Sequence, residues 1–478
     1  MTATTSSQVF ADVAALRREL DGIASVQGDT VEVVDADGFR GKLIDRLIRT
    51  AVFGEEPVKE ASRWLIRAAA PALGAFPASI HALYMAAGRG DYANKTAPAI
   101  NVRGLTYDVM RTVLRAARAN DSKIVLFELA RSEMGYTDQR PGEYAANALA
   151  AAIKEGHQGP VFIQGDHYQI NAKNYAKDAE GELKGLRELT AEAIAAGYYN
   201  IDIDASTIVD IDLPTIEEQQ TLNARHTAEM TRLIREREPA GITISIGGEI
   251  GEVGKRNSTV EELRGFMDRY VEELGQQRQE AGRDLARISK ISVQTGTSHG
   301  GVPLPDGTIK EVAVDFETLA ALSTAAREEY GLGGAVQHGA STLPAEAFDR
   351  FAQANAVEVH LATAFQNQIY DSGSFPTQLR DEIYAHLAAN HADERKPDQT
   401  DAQFYYTTRK RGFGPFKRQL WDLPEETRGG IMADLESTFD LIMKRLGVSG
   451  SAALVDRIVK PVDVAVPAPE ALRTVAAR

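Results

Sequence analysis

The 478-residue chain contains no cysteine. That excludes disulfides and thiolate metal sites, so any metal must be held by histidine and carboxylates. No apolar run approaches the roughly 20 residues of a membrane span, and residues 1–7 are polar, without the apolar core of a secretion signal. Lys and Arg number 53 against 68 Asp and Glu, a formal charge of −15. With no broad basic excess to replace counterions, a nucleic-acid backbone is not an expected partner. An anionic small molecule stays open, because it needs only a local positive site. No Gly-x-Gly-x-x-Gly follows the first strand of the chain's regular portion, which weakens a doubly wound nucleotide-binding reading. No internal repeat of solenoid period is present. These absences leave a cytoplasmic enzyme as the expectation.

What is there is an alternation. From Ala97 onward, short apolar stretches predict strands at 97–102, 123–128, 160–165, 200–204, 242–247, 288–294, 334–337 and 356–360. Helical periodicity lies between them at 107–119, 141–154, 186–197, 216–238 and 260–275, with Pro141 suited to a first helical position. Eight strands, most followed by a helix, predict an α/β fold of the (β/α)8 TIM barrel type. The barrel is expected over 96–371, with an N-terminal helical addition over 1–95 and a C-terminal helical extension over 372–478. In that extension Ile431, Leu435, Phe439, Ile442 and Leu446 share one helix face. The basic run 409–418 reads as structural or as a subunit contact, although an arginine from it, or Arg428, could reach a distal phosphate. The Ala/Pro-rich tail from Pro461 reads as extended or frayed at its end.

Barrel enzymes carry their chemistry at the C-terminal ends of the strands. Here the third strand ends in Asp166-His167, and the fourth carries Asp202 and Asp204. The fifth ends in Gly247-Gly248-Glu249-Ile250-Gly251, the sixth leads into Ser298-His299-Gly300, and the seventh into His338-Gly339-Ala340-Ser341. Three of the nine histidines thus fall at three strand ends on one face. Three imidazoles around an open position are a catalytic zinc arrangement. His81, His157, His226, His386 and His391 read as surface or loop residues.

In this order the motifs Asp-His, Asp-Ala-Ser, Gly-Gly-Glu-Ile-Gly, Ser-His-Gly and His-Gly-Ala-Ser resemble the class II, metal-dependent fructose-bisphosphate aldolase family, and 97–101 resembles its opening motif. The resemblance spans about 96–365. It implies that His167, His299 and His338 bind one catalytic Zn²⁺ or another divalent metal, and that Asp166 is the acid/base residue. Asp204 and Glu249 would hold the metal in an alternate, more buried position. Asn101, Gly300, Gly339, Ser341, His360 and Thr363 would meet the substrate or its phosphate. It further implies reversible cleavage of a ketose (bis)phosphate to dihydroxyacetone phosphate and an aldehyde through a zinc-stabilised enediolate. A place in carbohydrate metabolism such as glycolysis, a monovalent cation and a homo-oligomer (dimer or tetramer) come with the same resemblance. The alternatives are a sugar-phosphate epimerase using the same metal, or a non-catalytic aldolase-like subunit.

The departures lie on the substrate side. Glu128 ends the second strand where the family has a small hydroxyl residue, and His360 stands on the eighth where it has Asn. The lysine often found after the sixth-strand motif is missing from Gly301-Val-Pro-Leu-Pro-Asp306. The family's mobile acidic residue is not assigned; Glu252, Glu261 and Glu262 are candidates.

Overall fold

The computed structural model describes residues 8–251, 256–296, 304 and 313–473. The N-terminal addition begins with a helix, Val13–Leu20, whose first turn is capped by Asp12 accepting from the Ala15 amide. An antiparallel hairpin follows, strand β1 (Ala24–Gln27) against β2 (Thr30–Val33). Its two-residue turn opens with Gly28 at φ +60°, as a primed hairpin turn requires. Helices Ile44–Phe53 and Val58–Ala69 lead to a third strand, β3 (Ala75–Ala78). The segment expected to be helical therefore also holds three strands. Pro77 is tolerated because β3 pairs on one side only, with the start of the third barrel strand.

The barrel itself has the expected eight parallel strands: β4 (Ala97–Asn101), β5 (Leu126–Ala130), β6 (Gly159–Gln169), β7 (Asn200–Asp204), β8 (Ser245–Gly251), β9 (Lys290–Val293), β10 (Ala335–Gln337) and β11 (Glu358–Leu361). Each pairs with its sequence neighbour, and β11 returns to β4 to close the cylinder. Closure leaves no edge among these eight strands, and inter-strand helices bury the outer face. Among the described residues, no helix is long and apolar enough to cross a membrane.

Two irregularities position the chemistry. Between Gly165 and Tyr168 the β6–β7 register slips by one residue, a bulge centred on Asp166-His167. Neighbouring side chains on a regular strand point to opposite faces. The extra residue lets both Asp166 and His167 face one cleft, with His167 at φ +39°. Gly165 is needed there: a Cβ would lie 2.4 Å from the buried Tyr168 ring. A second slip, between Glu249 and Gly251, bends β8 where Glu249 approaches His167.

The lower barrel is charged rather than apolar. Lys290, fully buried, donates to Gln164 Oε1 at 2.8 Å, Asp202 Oδ2 at 2.9 Å and Glu358 Oε1 at 2.6 Å. Tyr84, from helix His81–Gly88 beneath the barrel, donates its hydroxyl to Glu358. Burial alone would lower the Lys290 pKa, but Asp202 and Glu358 outweigh it and raise it. Removing one member of such a buried group leaves the others uncompensated. Lys290→Met is expected to destabilise the protein by about 3–5 kcal/mol, read as a lower midpoint in urea unfolding. An unchanged midpoint would mean that Asp202 and Glu358 do not depend on this amine.

The C-terminal extension packs back on the barrel. Helix Glu425–Arg445 lies along helix Thr106–Ala119, joined by Arg115–Glu436 at 2.9 Å and Arg428–Asp108 at 2.7 Å. Between Pro461 and the short helix Glu470–Arg473 the tail runs without regular structure and is docked: Trp64 donates to the Val466 carbonyl at 2.8 Å, and Asp29 accepts from the Ala468 amide at 2.8 Å.

Candidate active site

A cleft of about 280 Å³ opens at the C-terminal ends of β4, β5, β6, β10 and β11. Asn101, Asp166, His167, His338, Gly339, Ser341, His360 and Thr363 all line it, from segments up to 262 positions apart in sequence (Asn101 to Thr363). Asp204 and Glu249 stand behind His167. Its Nδ1 is 3.3 Å from Asp204 Oδ2 and 3.2 Å from Glu249 Oε2, while its Nε2 is 3.7 Å from Asp166 Oδ1. The His167 and His338 rings lie side by side with centroids 4.2 Å apart, and His338 Nε2 is 3.5 Å from the same Asp166 oxygen. His299, Gly300 and Glu252 lie outside the described residues. Glu262 is engaged elsewhere, closing a capping box with Thr259 and pairing with Arg256 at 2.7 Å.

Burial and charge set the protonation states. His338 is held well below its ordinary pKa by burial and by the neighbouring His360 and His167, so it presents a neutral imidazole. For His167, burial acts downward, but Asp166 and Glu249 outweigh it and raise the pKa well above its ordinary value. Burial and Asp204 push Glu249 up to about 7. The Asp166 carboxyl stays well below its usual range despite burial, because His167 and His360 face it.

These donors fit a divalent metal. Asp166, His167 and His338 offer ligand atoms within 4.8 Å of one another, and so do His167, Asp204 and Glu249. Two donor groups share one imidazole, and mixed imidazole and carboxylate donors suit zinc and its first-row neighbours. So many buried carboxylates packed together would be costly without a cation among them.

Several lining residues were not singled out in the sequence. Arg103 pairs with Glu133 at 2.6 Å and donates to Gln366 Oε1 at 2.9 Å, while Glu133 accepts from Asn101 Nδ2 at 2.6 Å. Lys410, from the basic run, also lines the cleft, beside Tyr136. The arginines of that run are committed otherwise: Arg409 to Asp371, Arg411 to Glu394 and Arg418 over the Phe53 ring, while Arg428 holds Asp108. Glu128 and His360 are neighbours, with Nδ1 of His360 2.9 Å from Glu128 Oε2. His226 is buried rather than exposed, between Tyr175 and Glu229.

A closed parallel barrel with histidines and carboxylates gathered at its C-terminal mouth defines the class of barrel enzymes that suit a metal. Within that class, the chain belongs to the class II fructose-bisphosphate aldolase family, whose model matches residues 78–406. No curated protein matches the chain. Solved structures of similar fold include the fructuronate-tagaturonate epimerase UxaE from Cohnella laeviribosi, 12% identical over 90% of each chain with a TM-score of 0.52. A probable tagatose 6 phosphate kinase from Sinorhizobium meliloti 1021 is 15% identical, covering 76% of this chain and 93% of its own, with a TM-score of 0.52. The YdjI aldolase from Escherichia coli K12 is 15% identical over 78% of this chain and 99% of its own, with a TM-score of 0.45.

Proposed function

We propose that the cleft carries out a reversible, metal-dependent aldol reaction on a ketose phosphate, with dihydroxyacetone phosphate as the ketone product or donor. The observation that carries this reading is the β6 bulge, which sets a carboxylate and an imidazole side by side in the cleft, opposite the His338 ring. His167 and His338, with His299 from the sequence, would hold a zinc or similar ion. Such an ion would polarise the ketose carbonyl and stabilise the charge left on it when the carbon–carbon bond breaks. Asp166 takes the proton from the hydroxyl at the cleaving carbon. Ser341 and Thr363 receive the phosphate, Thr363 at the first turn of helix Thr363–Asp371, where the positive end of the helix dipole favours an anion. Lys410 supplies a cation in the same cleft.

Epimerisation is the second reading, favoured by one observation: the match to the solved epimerase spans 90% of each chain and so reaches beyond the barrel. Trapping triose phosphate with a coupled reducing enzyme separates the two. Aldol cleavage consumes the reducing cofactor, whereas epimerisation leaves it untouched and yields a second ketose of the same mass.

The cleft also bears on substrate choice. Glu128, Glu133 and Asp166 line it; Arg103 is already paired with Glu133, and Lys410 remains as a cation for the substrate. One anionic group is accommodated better than two. Fructose 1,6-bisphosphate is therefore expected to be a poorer substrate than a ketose with a single anionic group. The check is a side-by-side kcat/KM, which reports transition-state discrimination directly. A value of about 10⁴ M⁻¹s⁻¹ or more for the bisphosphate, unmatched by any other ketose, would overturn this expectation.

A further inference from the structure

We propose that Glu128, Asp166 and His360 form a second divalent-cation site, sharing the Asp166 carboxylate with the metal of His167 and His338. The proposal rests on the reading that the first site holds a metal, but not on which reaction follows. The three residues offer ligand atoms within 4.8 Å of one another. His360 Nδ1 is 2.9 Å from Glu128 Oε2 and 3.2 Å from Asp166 Oδ1. All are buried, with 1%, 5% and 4% exposure for Glu128, Asp166 and His360. Yet Oε1 of Glu128 makes neither a hydrogen bond nor an ion pair, and Nδ1 of His360 meets only the carboxylates of this same cluster. Buried polar atoms left this way normally have a partner. A cation bound between them would supply it.

The far side of His360 supports the same assignment. Its Nε2 lies 2.5 Å from Glu358 Oε1, the arrangement in which a carboxylate fixes the ring of a metal-binding histidine. Glu358 and Asp202 already have a cation, Lys290, whereas Glu128 and Asp166 face the cleft, from which an ion can enter. Around His360 stand four carboxylates, Glu128, Asp166, Asp202 and Glu358, with Lys290 as their fixed positive charge. The His338 and His360 rings are 4.1 Å apart, so the two donor sets adjoin as in two-metal sites, whose ions lie about 3.5–4 Å apart. Imidazole and carboxylate donors point to a first-row ion such as Mn²⁺, Co²⁺ or Zn²⁺.

The test is a metal count on the full-length protein. After stripping with a chelator, the wild type is titrated with Mn²⁺, free Mn²⁺ is followed by EPR, and bound metal is measured after gel filtration. Two equivalents are expected for the wild type, with the multiline signal of a coupled pair. Glu128→Gln and His360→Asn should each retain one equivalent and lose that signal. Uptake of a single equivalent by the wild type overturns the second site, as does uptake of two by both variants. If His360→Asn does not fold, Glu128→Gln decides. Triose trapping tests the aldol reading separately, so failure of one is distinguishable from failure of the other.

Discussion

Replacing His338 by alanine is expected to give a folded protein that no longer holds the first metal and no longer turns over. Burial and the neighbouring His360 and His167 hold its pKa well below the ordinary value, and a metal ligand must be unprotonated. Losing a group that merely orients a ligand costs about 10–100-fold in metal affinity or activity, and removing the ligand itself should cost more. Folding should be affected far less. His338 follows the end of β10, above a barrel whose own strands and helices are untouched, and such positions serve function rather than the core. His167→Ala should behave alike, and the sequence assigns His299 the same outcome. The measurement is metal content by mass spectrometry beside kcat and the thermal midpoint. Full metal content with full activity in His338→Ala would remove this residue from the site.

The parts of this molecule legible in the sequence are those where one period or one motif decides. Apolar stretches at regular spacing marked all eight barrel strands, because a parallel strand covered on both faces is nearly continuous in Val, Ile and Leu. The Asp-His pair was visible, but as a strand end, whereas β6 runs on to Gln169 and holds the pair in an internal bulge. A one-residue slip depends on what β7 offers as partner, and Gly165 under the Tyr168 ring is the only local hint. The hairpin β1–β2 carried its signal in Val-Gln-Gly-Asp-Thr-Val, yet strands of four residues are too short to outweigh the helical patterns around them. Lys290 and Glu358 were passed over inside apolar stretches. A charge at a buried strand position must have a partner, and asking for it would have led from Lys290 to Glu358 and on to His360. Glu128 and His360 were legible only as two separate departures from a family pattern. That they compensate each other follows from the closure of the barrel, which brings β5 and β11 to either side of β4. Lys410 could not be placed from sequence, because it reaches the cleft from the C-terminal extension, whereas Arg103, two residues past the end of β4, was passed over at a strand end.

Asp166→Asn should separate chemistry from metal binding. The amide is close in size to the carboxylate and still offers an oxygen toward the three imidazoles, so the metal held by His167 and His338 should remain. What it cannot do is accept a proton. Burial alone would push the Asp166 carboxyl up, but His167 and His360 keep it ionised, the form a base needs. General acid–base catalysis contributes about 10²–10⁴-fold, and a loss of that size in kcat is expected with KM little changed. Because the proton moves only as the bond breaks, kcat and kcat/KM should fall together. A structural role predicts otherwise: if Asp166 merely shaped the bulge, asparagine would substitute well and the rate would stay within roughly threefold of wild type, far short of an acid–base loss. The decisive comparison is therefore single-turnover cleavage by wild type and Asp166→Asn, each loaded with one equivalent of metal at the site of His167 and His338. A normal rate with full metal would leave the proton transfer to another residue.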